Sequence, residues 1–370
     1  MHNIKPKIWV LADNRVGNVN QAIALAEKLG LGYQLKPIEY NFWGKLPNFL
    51  LALSPIHVKK QLLQSWEMEG LPDLIISAGR RTASLASYLK HKSAGKVKIV
   101  QIMHPNLPFK QFDLIILPHH DKVGREELCT NDKNILRITG ALNNVQAKIQ
   151  AGGIELRKNY PDLKQFISVI IGGNSKNYQF TDENAREFAA ILSNLTIVNS
   201  GEFGARNDGA TPISNRQALS NNVTNFSSID YKNQDEKHTL FISFSRRTPN
   251  SAKQIIKNKV PSSAIIYDPT EEEAKPNPYF GMLAQADYII STADSISMCS
   301  EAASTGKPLY IFCPSNFKSP KHLAFTQNLL ELGIAKILDK SAMQLESYNY
   351  APLNEVEKIA NIIITKNWIK

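Results

Sequence analysis

Residues 286–312 read ADYIISTADSISMCSEAASTGKPLYIF. Two short apolar runs, ADYIIST and LYIF, bracket a small-polar turn, a helical stretch and a Gly-Lys-Pro exit. Short apolar runs bounded by turn residues read as buried strands, and a helix between them makes one unit of a parallel α/β sheet. One or two of Ser291, Thr292, Asp294, Ser295 and Ser297 suffice to start the helix, because a single side-chain oxygen caps its first free amides. Gly306 ends it and Pro308 opens the next strand. The surplus hydroxyls and Glu301, in the helix's first turns, are what this ordinary helix-start reading leaves over. A carboxylate there suits the helix dipole and can accept two hydrogen bonds from a vicinal diol such as a ribose. The hydroxyls and helix amides then face a phosphate.

The same rhythm runs outward through the chain of 370 residues, a length that suggests two domains. In the first half KIWVLAD, PDLIISAG, KIVQIMH, FDLIILPHHD and NILRITGAL read as strands. Helices NVNQAIALAEKLG, with Gly30 as C-cap, and RRTASLASYLKHK lie between them. The pattern restarts with QFISVIIGG, the helix TDENAREFAAILSNL with Thr181 as N-cap, and the strands TLFISFSRR, AIIYD and DYIIST. The fold class expected is α/β, two Rossmann-like parallel-sheet domains facing a cleft. The domains are residues 1–150 and 160–350, with a helix at 353–370 packing back on the first domain. Residues 197–237 are rich in Asn, Ser, Gly and Asp and read as a surface insert rather than a lid.

Hydrophobic residues make up 43% and charged ones 21%, as in globular proteins. No stretch approaches the roughly 18 apolar residues of a membrane span, and the apolar run near the N-terminus is about five long, short for a signal core. A cytoplasmic location is expected. The formal charge of +10 is dispersed. It reads either as a solubilising surface or as attraction to an anionic ligand or the inner face of a membrane, with no nucleic-acid-binding motif present. Cys129, Cys299 and Cys313 show no CxxC spacing, and no histidine pair has metal-ligand spacing, so no metal is expected.

In open α/β sheets ligands bind outside the carboxyl ends of the strands, so residues just after strands carry the chemistry. Gly172-Gly173 ends one strand, where free amides can form an anion nest or a simple tight turn. Ser245, Arg246 and Arg247 end another, and paired arginines beside hydroxyls suit a phosphate as well as solvent. Arg80 and Arg81 repeat this in the first half at the start of a helix, on the acceptor side of the cleft together with His120. His104 and Asp13, also after strands, are the candidate general bases; each serves equally well as a turn or cap residue.

The spacing SEAASTGKP resembles the sugar-nucleotide half of GT-B glycosyltransferases. That resemblance implies that Glu301 holds the nucleotide ribose and that small residues near it approach the diphosphate. SRRTP (245–249), DLIISAGRR (73–81), FDLIILPHHD (112–121) and the block from Asn277 to Pro308 together resemble the bacterial relatives of the plant elongated-mitochondria fission protein. Bacterial members are often labelled nucleoside-diphosphate-sugar epimerases. ADNRVGNVNQ (12–21) has one glycine where an NAD-binding turn needs GxGxxG, and the Tyr88/Lys92 pair is a spacing expected once by chance, so an NAD cofactor is disfavoured. The expected activity is metal-independent transfer from a nucleoside-diphosphate sugar to an unknown acceptor. Gly172, Gly173, Ser245, Arg246, Arg247, Ser291, Asp294, Ser295, Ser297 and Glu301 form the nucleotide-sugar side. The plant resemblance implies the alternative, a non-catalytic adaptor.

Overall fold

IWVLA, LIISA and LIILP are buried along their whole length, because a parallel sheet covered by helices on both faces leaves neither side of a central strand to water. A computed structural model of the protein describes residues 6–46, 50–51, 55–121, 134–175, 178–197, 238–271, 276–340, 344–366 and 368. The insert read at 197–237 lies, from residue 198 onward, outside the described residues.

The first sheet comprises β1 (Ile8–Ala12), β2 (Gln34–Pro37), β3 (Leu74–Ala78), β4 (Lys98–Ile102), β5 (Leu114–Pro118) and β6 (Ile135–Ile138). The strands are parallel in the order β2-β1-β3-β4-β5-β6, with Val10 opposite Ile76. Helices α1 (Val16–Leu29), α2 (Lys60–Met68) and α3 (Arg80–Lys92) cover it, and its two faces hold separate cores. Gly30 ends α1 with a φ of 69°, a left-handed conformation in which glycine has no Cβ to clash.

The second sheet comprises β7 (Phe166–Ile171), β9 (Thr239–Phe244), β10 (Ile265–Tyr267), β11 (Tyr288–Thr292), β12 (Leu309–Phe312) and β13 (Ala335–Leu338). Its order, β10-β9-β7-β11-β12-β13, is the 3-2-1-4-5-6 order of a Rossmann sheet. β8 (Thr196–Ile197) pairs separately with β14 (Gln344–Leu345). Its helices are α4 (Val145–Asn159), α5 (Asp182–Asn194), α6 (Asn250–Lys259), α7 (Tyr279–Gln285), α8 (Ile296–Ala303) and α9 (Pro320–Glu331). Thr181 starts α5 in a reciprocal capping box with Asn184.

The chain crosses between sheets at residues 139–144, and α4 packs on the second. Its glycines let α7 approach closely: a Cβ on Gly281 would stand 2.5 Å from the Gly152 carbonyl oxygen and 2.6 Å from Leu156 Cβ. The crossover is tied to α8 by Ala141 N, which donates to Ser300 Oγ at 3.0 Å, and by Asn143 Nδ2, which donates to Ser304 Oγ at 3.2 Å. Lys321 bridges back to Asp121 at 2.7 Å. The last helix, α10 (Glu355–Thr365), returns to the first domain, where Val356, Ile359 and Ile363 join the core of Ala22 and Leu25.

Candidate functional site

Each sheet has one point where strand order reverses: between β1 and β3 in the first, between β7 and β11 in the second. A crevice opens beyond the carboxyl ends at such a point. In the second sheet it is crossed by protein contacts. Asp294, just after β11, is buried; its Oδ2 accepts from Gly173 N at 2.8 Å and from Arg247 Nη2 at 3.3 Å. Gly172 N donates to Thr292 Oγ1 at 2.8 Å, and Asn174 N to the Arg247 carbonyl at 3.0 Å. The expected nest of free amides at Gly172-Gly173 is therefore absent: both amides are spent within the protein. The glycines serve approach instead. A Cβ on Gly172 would lie 2.2 Å from Asp294 Oδ2, and one on Gly173 2.2 Å from the Arg247 carbonyl oxygen.

A cavity of 590 Å³ opens beside this strut, against the ends of β7, β9 and β10. Ser245, Arg246, Tyr267, Asn277, Tyr279 and Met298 line it. The two arginines thus part company. Arg246 faces the cavity, whereas Arg247 is held by Asp294 and by the Asn174 carbonyl at 3.2 Å. Ser245 Oγ donates to the Gly172 carbonyl at 2.8 Å, fixing the wall behind Arg246.

Glu301 lies one layer back, on α8. Tyr279 lines the cavity and donates its hydroxyl to Glu301 Oε2. Burial pushes the Glu301 carboxyl above the usual carboxylate range, while the Tyr279 hydrogen bond and Lys148 pull it down. Burial pushes the Tyr279 phenol well up, with the Glu301 charge adding to it. Ser295 caps α8, its Oγ accepting from Met298 N at 3.4 Å, and Ser297 is half-buried in the first turn. Ser291 is fully buried in β11, where its Oγ accepts the Cys299 thiol at 3.4 Å; it belongs to the core rather than the cavity wall. The polar surplus of the opening stretch is thus divided. Ser300 and Ser304 hold the domain crossover, Asp294 braces the strand ends, and Glu301 pairs with Tyr279 behind the cavity wall.

On the first domain the candidates are dispersed. Asp13 Oδ1 accepts from Arg15 N at 2.9 Å, and its Oδ2 is buried without a partner. Arg81 lies over Tyr40, 5.7 Å from the ring centroid. His104 Nδ1 is 3.0 Å from Asn106 N, in a turn where Met103 and Asn106 take left-handed φ values of 65° and 54°. Such strain in non-glycine residues concentrates at functional turns. His120 is buried edge-on against Phe325 at the domain seam, and burial with the Lys321 charge holds its imidazole down at about 4. Tyr279, Asn277 and Met298 were not singled out as site residues, although all three lie in the 277–308 block that carries the family resemblance. Among the described residues, no group of three or more His, Cys, Asp or Glu is placed to hold a metal ion, and no helix is long and apolar enough to cross a membrane.

Two Rossmann-like domains, joined by the crossover at 139–144 and by the return of α10, with a polar cavity at the strand ends of the second, define a protein of GT-B-like build. A family profile described as Mitochondrial fission ELM1 matches residues 16–236 and 220–367. The chain belongs to that family. It is 46% identical over 381 residues to an uncharacterized protein, RP120, of Rickettsia prowazekii, covering 96% of this chain and 97% of that one. It is 28% identical over 322 residues to the mitochondrial fission protein ELM1 of Arabidopsis thaliana, covering 81% of this chain and 65% of the plant protein. Among solved structures, S. aureus MnaA with UDP is similar with a TM-score of 0.48 and 13% identity, over 97% of this chain and 88% of that one. Likeness at that level says nothing of activity.

Proposed function

We propose that the cavity of the second domain binds a nucleoside-diphosphate sugar and that the protein transfers the sugar to an acceptor held on the first domain. The observation that carries this is the pairing, across one 590 Å³ cavity, of Arg246 with the Tyr279–Glu301 pair. A guanidinium neutralises a diphosphate by bidentate hydrogen bonds. A carboxylate one layer behind a tyrosine accepts from a ribose diol when the tyrosine swings aside or shares it. Ser245, Ser295 and Ser297 supply hydroxyls along the diphosphate path. Gly172, Gly173, Asp294 and Arg247 act as the brace that shapes it. Arg246, rather than a metal, carries the charge compensation. Asp13 or His104 takes the acceptor's proton.

The test is thermal stabilisation by nucleoside diphosphates and their sugars, with Arg246→Ala and Glu301→Ala as controls. A ligand at 100 times its Kd stabilises by about 2.7 kcal/mol. No shift with any nucleotide rules the reading out; a shift that survives both substitutions moves the site elsewhere. A second reading has one observation behind it: the Arabidopsis relative is named a mitochondrial fission protein. On that reading the chain is a recruiting adaptor at a membrane face, its net charge of +10 favouring anionic lipid. Nucleotide binding without release of sugar in the presence of membrane extracts favours it.

A further inference from the structure

We propose that the crevice at the β1/β3 reversal of the first domain binds a ligand that presents an anionic group beside a free hydroxyl, a phosphorylated polyol being the simplest example. That this ligand is the acceptor rests on the transferase reading; that it binds does not.

A cavity of 500 Å³ opens there, its walls including Asn14, Tyr40, Asn41 and Arg81. Two lining residues carry a polar atom buried without a hydrogen-bond partner, Tyr40 Oη and Arg81 Nε, and so does Asp13, through Oδ2, directly before the lining residue Asn14. An unpaired buried polar atom forfeits its hydration with nothing in return, so natural proteins leave few of them. The Arg81 guanidinium lies 5.7 Å from the Tyr40 ring centroid, and both residues line the same cavity. Burial pushes the Tyr40 phenol up and the Asp13 charge adds to this, while the Arg81 and Arg15 charges oppose it. The nearest partner for the Arg81 guanidinium is Asn14 Oδ1, 3.5 Å from Nη1, which is a long contact. Glu39, also on the cavity wall, is neutralised by Lys59.

The unmet valences specify the ligand. Arg81 Nε–H, in the first turn of α3, whose N-cap Gly79 offers no side-chain acceptor, and the Tyr40 hydroxyl are donors. They call for anionic oxygens. Asp13 Oδ2 is an acceptor and calls for a hydroxyl. Free phosphate satisfies the first pair and is repelled by Asp13; a neutral polyol satisfies Asp13 alone.

The lip of the cavity indicates the source. Phe42, Trp43 and Ile56 are 77%, 51% and 46% exposed. Asn41 binds them to the wall, its Oδ1 accepting from Trp43 N at 3.0 Å and its Nδ2 donating to the Ile56 carbonyl at 2.6 Å. Exposed aromatic side chains beside a site for an anionic head suit an amphiphile whose tail leaves across the lip.

The experiment uses the full chain without nucleotide. Calorimetry with glycerol 3-phosphate, glycerol and inorganic phosphate is paired with sedimentation on phosphatidylcholine vesicles containing phosphatidylglycerol or, at equal charge, phosphatidylserine. Glycerol 3-phosphate is expected to bind at least tenfold more tightly than either fragment. Arg81→Gln and Tyr40→Phe each weaken it about tenfold, the scale of one charge-assisted hydrogen bond. Asp13→Asn weakens glycerol 3-phosphate but strengthens inorganic phosphate, a sign reversal that mere misfolding does not produce. Preference for phosphatidylglycerol vesicles, lost in Arg81→Gln and in Phe42→Ser/Trp43→Ser, assigns the headgroup to a lipid. Binding of glycerol 3-phosphate with no such preference assigns it to a soluble ligand and keeps the site. No binding of glycerol 3-phosphate or phosphatidylglycerol at millimolar concentration, or binding indifferent to Arg81→Gln, overturns the proposal. Failure of nucleotide binding with this site intact overturns only the transferase reading.

Discussion

Asp294→Ala is the sharpest probe of how the second domain is built. Asp294 was a candidate ligand residue, yet its side chain is 1% exposed and its Oδ2 is committed to Gly173 N and Arg247 Nη2. A hydrogen bond from a buried amide to a carboxylate contributes about 1.5–3 kcal/mol. Arg247 is 43% exposed, so its ion pair is screened by solvent and adds about 0–1 kcal/mol. Oδ1 is buried without a partner, and losing it returns part of the cost of burying the charge. A net loss of roughly 2–3 kcal/mol follows, which for a domain of this size lowers its melting temperature by roughly 4–12 °C. Calorimetry of Asp294→Ala and Asp294→Asn measures it. The amide keeps an acceptor for Gly173 and should lose about half as much. If Asp294→Ala melts with the parent while abolishing nucleotide binding, Asp294 is a ligand and the brace argument fails.

Three further outcomes follow from the same contacts. Gly281→Ala places a methyl 2.5 Å from the Gly152 carbonyl oxygen, between two helix backbones that cannot both yield, and should destabilise the second domain by about 1–3 kcal/mol in urea titration; an unchanged midpoint would falsify the close packing of α4 on α7. Glu301 holds its proton more tightly when folded than when unfolded, so folding stability falls as pH rises from 4.5 through its folded pKa, and Glu301→Gln should flatten that slope and melt higher than the parent at pH 7. His57 is buried and its imidazole held down at about 4. The unfolded chain therefore takes up its proton first, and the first domain should lose about 3 kcal/mol as pH falls from 6.5 through 4, an effect reduced in His57→Gln.

Elements set by short-range chemistry were readable before any coordinates. The apolar runs at Ile8–Ala12, Leu74–Ala78 and Tyr288–Thr292 are strands, Gly30 closes α1, and Thr181 opens α5. Each depends on neighbours within a turn or two. Helix α4 was not legible: Gly152 and Gly153 weaken its intrinsic preference, and only the fit against α7, some 130 residues away, explains them, Gly152 against Phe280 and Gly281 and Gly153 against Ala284 and Gln285. Helices α2 and α9 likewise go beyond the elements that the sequence pattern predicts.

The candidate site divides the same way. The 286–312 stretch declared by itself that a polar turn follows a buried strand and that a glutamate rides the next helix, since capping and periodicity are properties of adjacent residues. Which of its oxygens remain for a ligand is a property of contacts between distant segments. Gly173 N claims Asp294, Ala141 N claims Ser300, Asn143 claims Ser304, and Cys299 claims Ser291. Tyr279 and Glu301, 22 residues apart, meet only once α7 and α8 are packed. The sequence alone determined two parallel sheets and the strand ends where ligands belong. The tertiary structure decided which side chains there are braces and which face open space, because a hydrogen-bonding group spends its capacity on whatever partner folding brings within 3 Å.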